Sequence, residues 1–172
     1  MKKTTLVSLL HKAKNTVVYF GPQGFLIAAT VDELDAYQQG FSVNPDGSEL
    51  SASEKAGWKE SWVVVARDTE LGDPYFVDTS ESALPVYTAM RGETEWMSEL
   101  VASSLDGFLA CLALLGEKNH QTSAQFVPDG TTLVDSELLA KMERELVAAS
   151  ACDKFWAEFF ECYIDWLDDD EF

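Results

Sequence analysis

Apolar positions recur along this chain at two periods, one suited to helices and one to strands. Leu6, Leu9, Leu10 and Ala13 fall at helical spacing and predict a short helix over 4–14. Thr16–Phe20 and Phe25–Ala29 read as strands, rich in β-branched and aromatic residues. The turn Gly21-Pro22-Gln23-Gly24 joins them as a hairpin. Thr30 and Glu33 form a capping-box pattern and Gly40 marks a stop, which predicts a helix over 31–39. Asn44-Pro45-Asp46-Gly47 is a turn, and 51–59 is ambiguous. Ser61–Ala66 is an unbroken apolar run, which predicts a strand buried on both faces. After a polar connection, Arg67–Gly72, further strands are expected over 75–78 and 86–90.

The second half of the chain reads as helical. Val101, Leu105, Phe108, Leu109, Leu112 and Leu115 share one side of an expected helix over 98–115, ended by Gly116. Gly107 inside it costs about 1 kcal/mol against alanine. Burying each large apolar side chain gains about 1.5–3 kcal/mol, so the helix should survive. Residues 117–132 are polar, with a turn at Pro128-Asp129-Gly130. Leu138, Met142, Leu146 and Ala149 mark another helix, and 153–168 a third. On the last, Phe155, Trp156, Phe159, Phe160, Tyr163, Ile164, Trp166 and Leu167 oppose Glu158, Glu161, Asp165 and Asp168. That apolar face calls for docking onto the protein's own core, with a dimer contact or exposed docking helix as the other reading. The short loops imply an α+β fold, a mostly antiparallel sheet of about five strands covered by helices, with two additional C-terminal helices. One domain over 1–172 accounts for the length.

Charge changes this picture more than composition does. The chain is 47% hydrophobic and 24% charged, which is ordinary for a globular protein, but its net charge is −18. The imbalance grows along the chain. Residues 1–60 carry six lysines against seven acids, 61–120 three bases against ten acids, and 121–172 three against thirteen. Binding to nucleic acid or to anionic membranes is not expected of such a chain. A basic protein partner fits it, with solubility as the plainer role of the acids. The terminal run Asp168-Asp169-Asp170-Glu171 reads as a solvated tail or as a lure for such a partner. Cys111, Cys152 and Cys162 sit in apolar helical patterns, and buried free thiols are expected of all three. The apolar stretch Leu6–Leu10 is too short for a secretory signal, and Asn15–Val31 is broken by its turn and cannot span a membrane. A cytoplasmic protein is the expectation.

No nucleophile elbow, zinc-protease motif, P-loop or dinucleotide glycine fingerprint is present in the sequence. His11 and His120 lie outside any motif, and neither cofactor nor metal is expected. Asp73 and Asp78 are the carboxylates embedded in the strand region. Turn chemistry or partner contact explains them, and a carbohydrate-type hydrolysis by the pair is the weaker alternative. Trp58, Trp62, Tyr75, Tyr87 and Trp96 lie in or beside strands. Trp62 reads as core, while Trp58, Tyr87 and Trp96 flank turns and admit either packing or a partner surface.

Several of these residues together resemble a known family. Trp58 and Trp62-Val63-Val64-Val65 are followed by Gly72-Asp73-Pro74-Tyr75-Phe76-Val77-Asp78. Pro85-Val86-Tyr87, Gly92, Trp96 and a helix with Ser104 and Phe108-Leu109 complete the set. This pattern, best over 58–112, resembles the SUKH superfamily, which includes the Smi/Knr-type proteins. The resemblance implies a mostly antiparallel sheet covered by helices, with 117–172 as an added helical extension. It also implies a cytoplasmic, non-enzymatic immunity protein that neutralises a toxin, often a nuclease, by direct binding. On that reading Asp73, Asp78, Tyr87, Trp96 and Trp58 contact a basic toxin domain, and the chain is a monomer or a weak homo-oligomer. A regulatory or scaffold protein working through its C-terminal helix is the alternative.

Overall fold

A computed structural model describes residues 1–169. Within them six strands form one antiparallel sheet in sequence order: β1 (Val17–Phe20), β2 (Gln23–Ile27), β3 (Trp62–Asp68), β4 (Pro74–Asp78), β5 (Val86–Arg91) and β6 (Trp96–Ala102). Six helices accompany it: α1 (Lys3–Leu10), α2 (Val31–Tyr37), α3 (Ala52–Lys55), α4 (Leu105–Lys118), α5 (Ser136–Ser150) and α6 (Lys154–Asp168). Each strand pairs with its sequence neighbour, through short connections except between β2 and β3, where 28–61 intervene with α2 and α3. The fold is α+β, with six strands among the described residues where about five were expected.

The additional strand is β6, which occupies 96–102, so 98–102 are not helical as the spacing suggested. Met97 pairs with Met90, Ser98 with Ala89 and Glu99 with Thr88, a ladder that helical geometry would forfeit. The helix starts only after Ser104, whose hydroxyl accepts from the Gly107 amide at 3.0 Å. It then runs to Lys118, two residues past Gly116, which does not stop it.

Local signals elsewhere act as expected. The Thr30 hydroxyl accepts from the Glu33 amide, and the Glu33 carboxylate reaches back to the Ala29 amide. Ser51 and Glu54 complete a capping box that starts α3 inside the ambiguous stretch.

The sheet buries both of its faces, but against different covers. On one face Val65, Tyr75, Val77, Val86 and Val101 join a core supplied by α1, α4, α5 and α6. On the other, Trp62, Val64, Phe76 and Ala89 meet Phe41 and Trp58, brought over by the 38–61 segment. Strands β3 and β4 therefore read as continuous apolar runs because alternate residues enter two cores.

Helix α6 lies on the first face. Trp156, Phe159, Phe160 and Tyr163 are buried. Phe20 meets Phe159, Phe160 and Tyr163 with ring centroids 4.5–5.9 Å apart. The Trp156 indole donates to the Val101 carbonyl at 3.1 Å and the Tyr163 hydroxyl to Leu133 at 2.8 Å. Most of the apolar face of α6 thus belongs to the protein's own core, while Ile164 stays 43% exposed. Gly107 is where α4 meets the end of α5. A Cβ there would lie 2.6 Å from the Ala149 carbonyl oxygen, so the glycine permits a close helix approach. Cys111 and Cys152 are buried, and burial pushes the Cys111 thiol up to about 12. Cys162, expected to be buried, is exposed, because it lies at the edge of α6 where the helix does not fully cover the sheet. The end of the acidic tail, 170–172, lies outside the described residues, and no helix among those described is long and apolar enough to cross a membrane.

Candidate functional site: an acid-rimmed groove

The β3–β4 hairpin closes through one carboxylate. Asp68 accepts the amides of Glu70, Leu71 and Gly72 on one oxygen, at 2.8, 2.7 and 3.1 Å, and that of Asp73 on the other, at 2.9 Å. Gly72 takes a left-handed φ of 75°, which lets the loop turn back under these bonds. The organising acid is Asp68; Asp73, the residue expected to hold this turn, contributes its backbone to it, through its amide and through its carbonyl, which accepts from the Asp68 amide at 3.0 Å. The hairpin sets Asp73 two residues before Tyr75, so both point to the sheet face that carries α6.

That face is not fully covered. Between α6 and the ends of β2–β6 lies a groove of about 250 Å³. Phe25, Tyr75, Phe155 and Phe159 line its aromatic part, with the Tyr75 ring 5.1 Å from Phe25 and 6.2 Å from Phe155. Thr88 and Met90 enter from β5 and Glu99 from β6, while Glu158 and Cys162 enter from α6. Asp68, Glu70, Leu71 and Asp73 form the hairpin side. Three exposed apolar side chains mark this end of the molecule: Leu71 at 79%, Met90 at 65% and Met97, the cross-strand partner of Met90, at 61%.

The acids of the rim fall into two groups. Lys154 bridges Glu99 at 2.7 Å and Glu158 at 3.8 Å. Asp68, Glu70 and Asp73 have no lysine or arginine within salt-bridge distance among the described residues. Partial burial, then the negative charges of Asp68 and Glu70, raise the Asp73 carboxyl above its ordinary value. Burial first, and then Asp68 and Asp73, push the Tyr75 phenol up as well.

The other expected contact residues stand on the opposite face. Asp73 just precedes β4 and Asp78 is its last residue, so the two lie about 16 Å apart at 3.3 Å per residue and the pair is not brought together. The Asp78 carboxylate accepts from the Ser80 amide at 2.9 Å and its hydroxyl at 2.6 Å. Burial alone would raise this carboxyl, but those bonds, with Ser61 and Trp62, together hold it below its ordinary value. Tyr87 stacks on Phe76 at 5.8 Å. Trp96 packs 5.2 Å from Phe41 and 5.6 Å from Trp58 under the Arg91 guanidinium, and its indole N–H is enclosed without an acceptor. Trp58 is 5% exposed and its indole donates to the Trp62 carbonyl, so it packs rather than faces solvent.

Of the five residues singled out from sequence, the groove holds Asp73 alone. Asp68 and Glu70 sat in a stretch read only as a polar connection, although its Asp-x-Glu-x-Gly-Asp spacing is a signal for an amide-binding carboxylate. Glu99 was masked by the helical reading of 98–102, and Glu158 by its place on the solvated side of α6. Among the described residues no cluster of three His, Cys, Asp or Glu is arranged to hold a metal. No family model, curated protein or solved structure matches this chain.

Proposed function

We propose that this chain is a protein-binding module that captures a basic protein partner, in the manner of an immunity protein that neutralises a toxin by direct contact. The observation that carries the reading is the acid-rimmed apolar groove on a chain of net charge −18. An apolar floor supplies affinity when it is covered, and a rim of one sign selects the partner's charge. The exposed Leu71, Met90 and Met97 extend the contact beyond the groove. Long-range attraction acts over only about 8 Å at physiological salt, so the surplus acids speed the encounter more than they hold the complex. The likeness of 58–112 to the SUKH superfamily points the same way, toward a toxin whose own basic surface, such as a nuclease cleft, is the target. The scaffold reading relies on the apolar face of α6, of which Trp156, Phe159, Phe160 and Tyr163 are buried in this protein's own core and Ile164 stays exposed.

The test is purification of the chain from the organism that encodes it, identification of a copurifying basic protein, and co-expression of the two. The expected result is a salt-sensitive one-to-one complex in which the partner's toxicity or enzymatic activity is blocked. No complex at low salt, together with unrelieved toxicity of a toxin encoded beside this gene, would end the proposal.

A further inference from the structure

Within the groove two side chains are arranged for a cation that the protein itself does not supply. Tyr75 is 7% exposed, held by Phe25, Phe108 and Phe155, yet its hydroxyl makes no hydrogen bond to any described residue. The ring is buried, but the oxygen is not enclosed: it opens to the groove and is free to accept from a ligand. Asp73 lies two residues away on the same face and accepts no hydrogen bond from a described residue. Thr88 faces Tyr75 directly across the ladder, which brings their Cβ atoms to about 5 Å. Of the other acids of the groove, Asp68 is engaged by four backbone amides and Glu99 and Glu158 by Lys154, while Glu70, on the rim beside Asp73, stands free among the described residues.

From this arrangement we infer that the groove receives a lysine side chain of the bound partner, its ammonium held by the Asp73 carboxylate and the Tyr75 and Thr88 hydroxyl oxygens. An ammonium has three donors and no acceptor, which matches three acceptor-bearing side chains lining one groove. The aliphatic stem then lies along Leu71, Met90 and Phe155, as lysine stems do on apolar surface. The inserted charge also relieves the crowding of Asp73 by Asp68 and Glu70. This inference rests on the protein-binding reading and assigns that reading its anchor.

The test is a titration of the intact chain with Nα-acetyl-lysine methylamide, followed by the backbone amide NMR signals of Gly72, Asp73, Thr88 and Met90, with the norleucine analogue as control. The lysine probe is expected to shift these four signals saturably, and the norleucine probe to leave them in place. Asp73→Asn should weaken binding about tenfold or more, the effect of removing a charge-assisted bond. Tyr75→Phe should weaken it several-fold, with the rest of the spectrum unchanged as the check on folding. Equal response to norleucine, or shifts spread over the acidic surface and indifferent to Asp73→Asn, would overturn the assignment. The two claims fail separately. A basic partner that binds without a lysine-specific, Asp73-dependent response removes the anchor and leaves the function. A saturable response with no partner to be found keeps the site and removes the function.

Discussion

The carboxylates at the two ends of β4, Asp73 just before it and Asp78 as its last residue, have opposite circumstances. Asp78 sits where the sheet is sealed, bonded by the Ser80 amide and hydroxyl and held below its ordinary pKa. Asp73 sits where the sheet is open, without a hydrogen-bond donor among the described residues, crowded by Asp68 and Glu70 and raised. The regions around them differ in the same way. The sealed face closes over its own aromatics and carries cations of its own: Lys59 over Trp62, Arg67 over Tyr37 and Phe41, and Arg91 over Trp96. The open groove has one lysine, already shared by two glutamates. With 12 basic residues against 30 acids, placing three of those bases over rings on one face leaves the other with unanswered negative charge. The sealed face answers its aromatics with cations of its own, while Asp68, Glu70 and Asp73 on the groove side have none within salt-bridge distance among the described residues.

The largest test of this contrast is Trp58→Ala. If the sealed face is a core, the variant loses about 3–5 kcal/mol in urea unfolding. A loss within about 0.5 kcal/mol would make Trp58 a surface residue and reopen that face as the binding site. Next is Asp68→Ala, which strips four amides of their acceptor and should cost about 1–3 kcal/mol by the same assay while loosening the hairpin.

Smaller effects come from the two strand-end carboxylates, and their signs differ. A lowered folded-state pKa means that Asp78 stabilises above the ordinary carboxylate pKa, near ~3.9, and that this stability is lost as pH falls. Asp78→Asn should therefore be less stable than wild type at neutral pH, with the gap closing in acid. A raised value means that folded Asp73 keeps its proton to higher pH than the unfolded chain does, so stability falls as pH rises through that window. Asp73→Asn should match wild type in acid and exceed it at neutral pH. Thermal melts between pH 3 and 8 check both curves; parallel behaviour of the two variants would erase the distinction. Smallest of all is Tyr75→Phe, whose melting temperature should stay at the wild-type value because its hydroxyl holds nothing in the free protein.

Much of the fold was legible because local signals agreed with the tertiary outcome. Thr30 with Glu33, the apolar run at 61–66 and the aromatic face of 153–168 each specify an element without long-range help. The misreading at 98–102 has a physical cause. Val101 falls four residues before Leu105 and completes a helical stripe, yet the hairpin across Arg91–Trp96 gives these residues a ladder first. Only Ser104, a capping residue, marks the true start. The groove was less legible for a related reason. Asp73 stood out in its turn, but its companions come from β2, β5, β6 and α6, up to 89 residues away, and only sheet pairing and helix docking join them. Trp58 looked available because it flanks a turn; nothing local reveals that Phe41 and Trp96 close over it.

Hydrogen–deuterium exchange on the chain with and without its copurified basic partner tests the central claim most directly. Protection is expected in 68–75, 86–91 and 155–162, the three segments that border the groove, with 37–62 unchanged. Protection confined to 37–62, with the groove segments exchanging as in the free protein, would contradict the account.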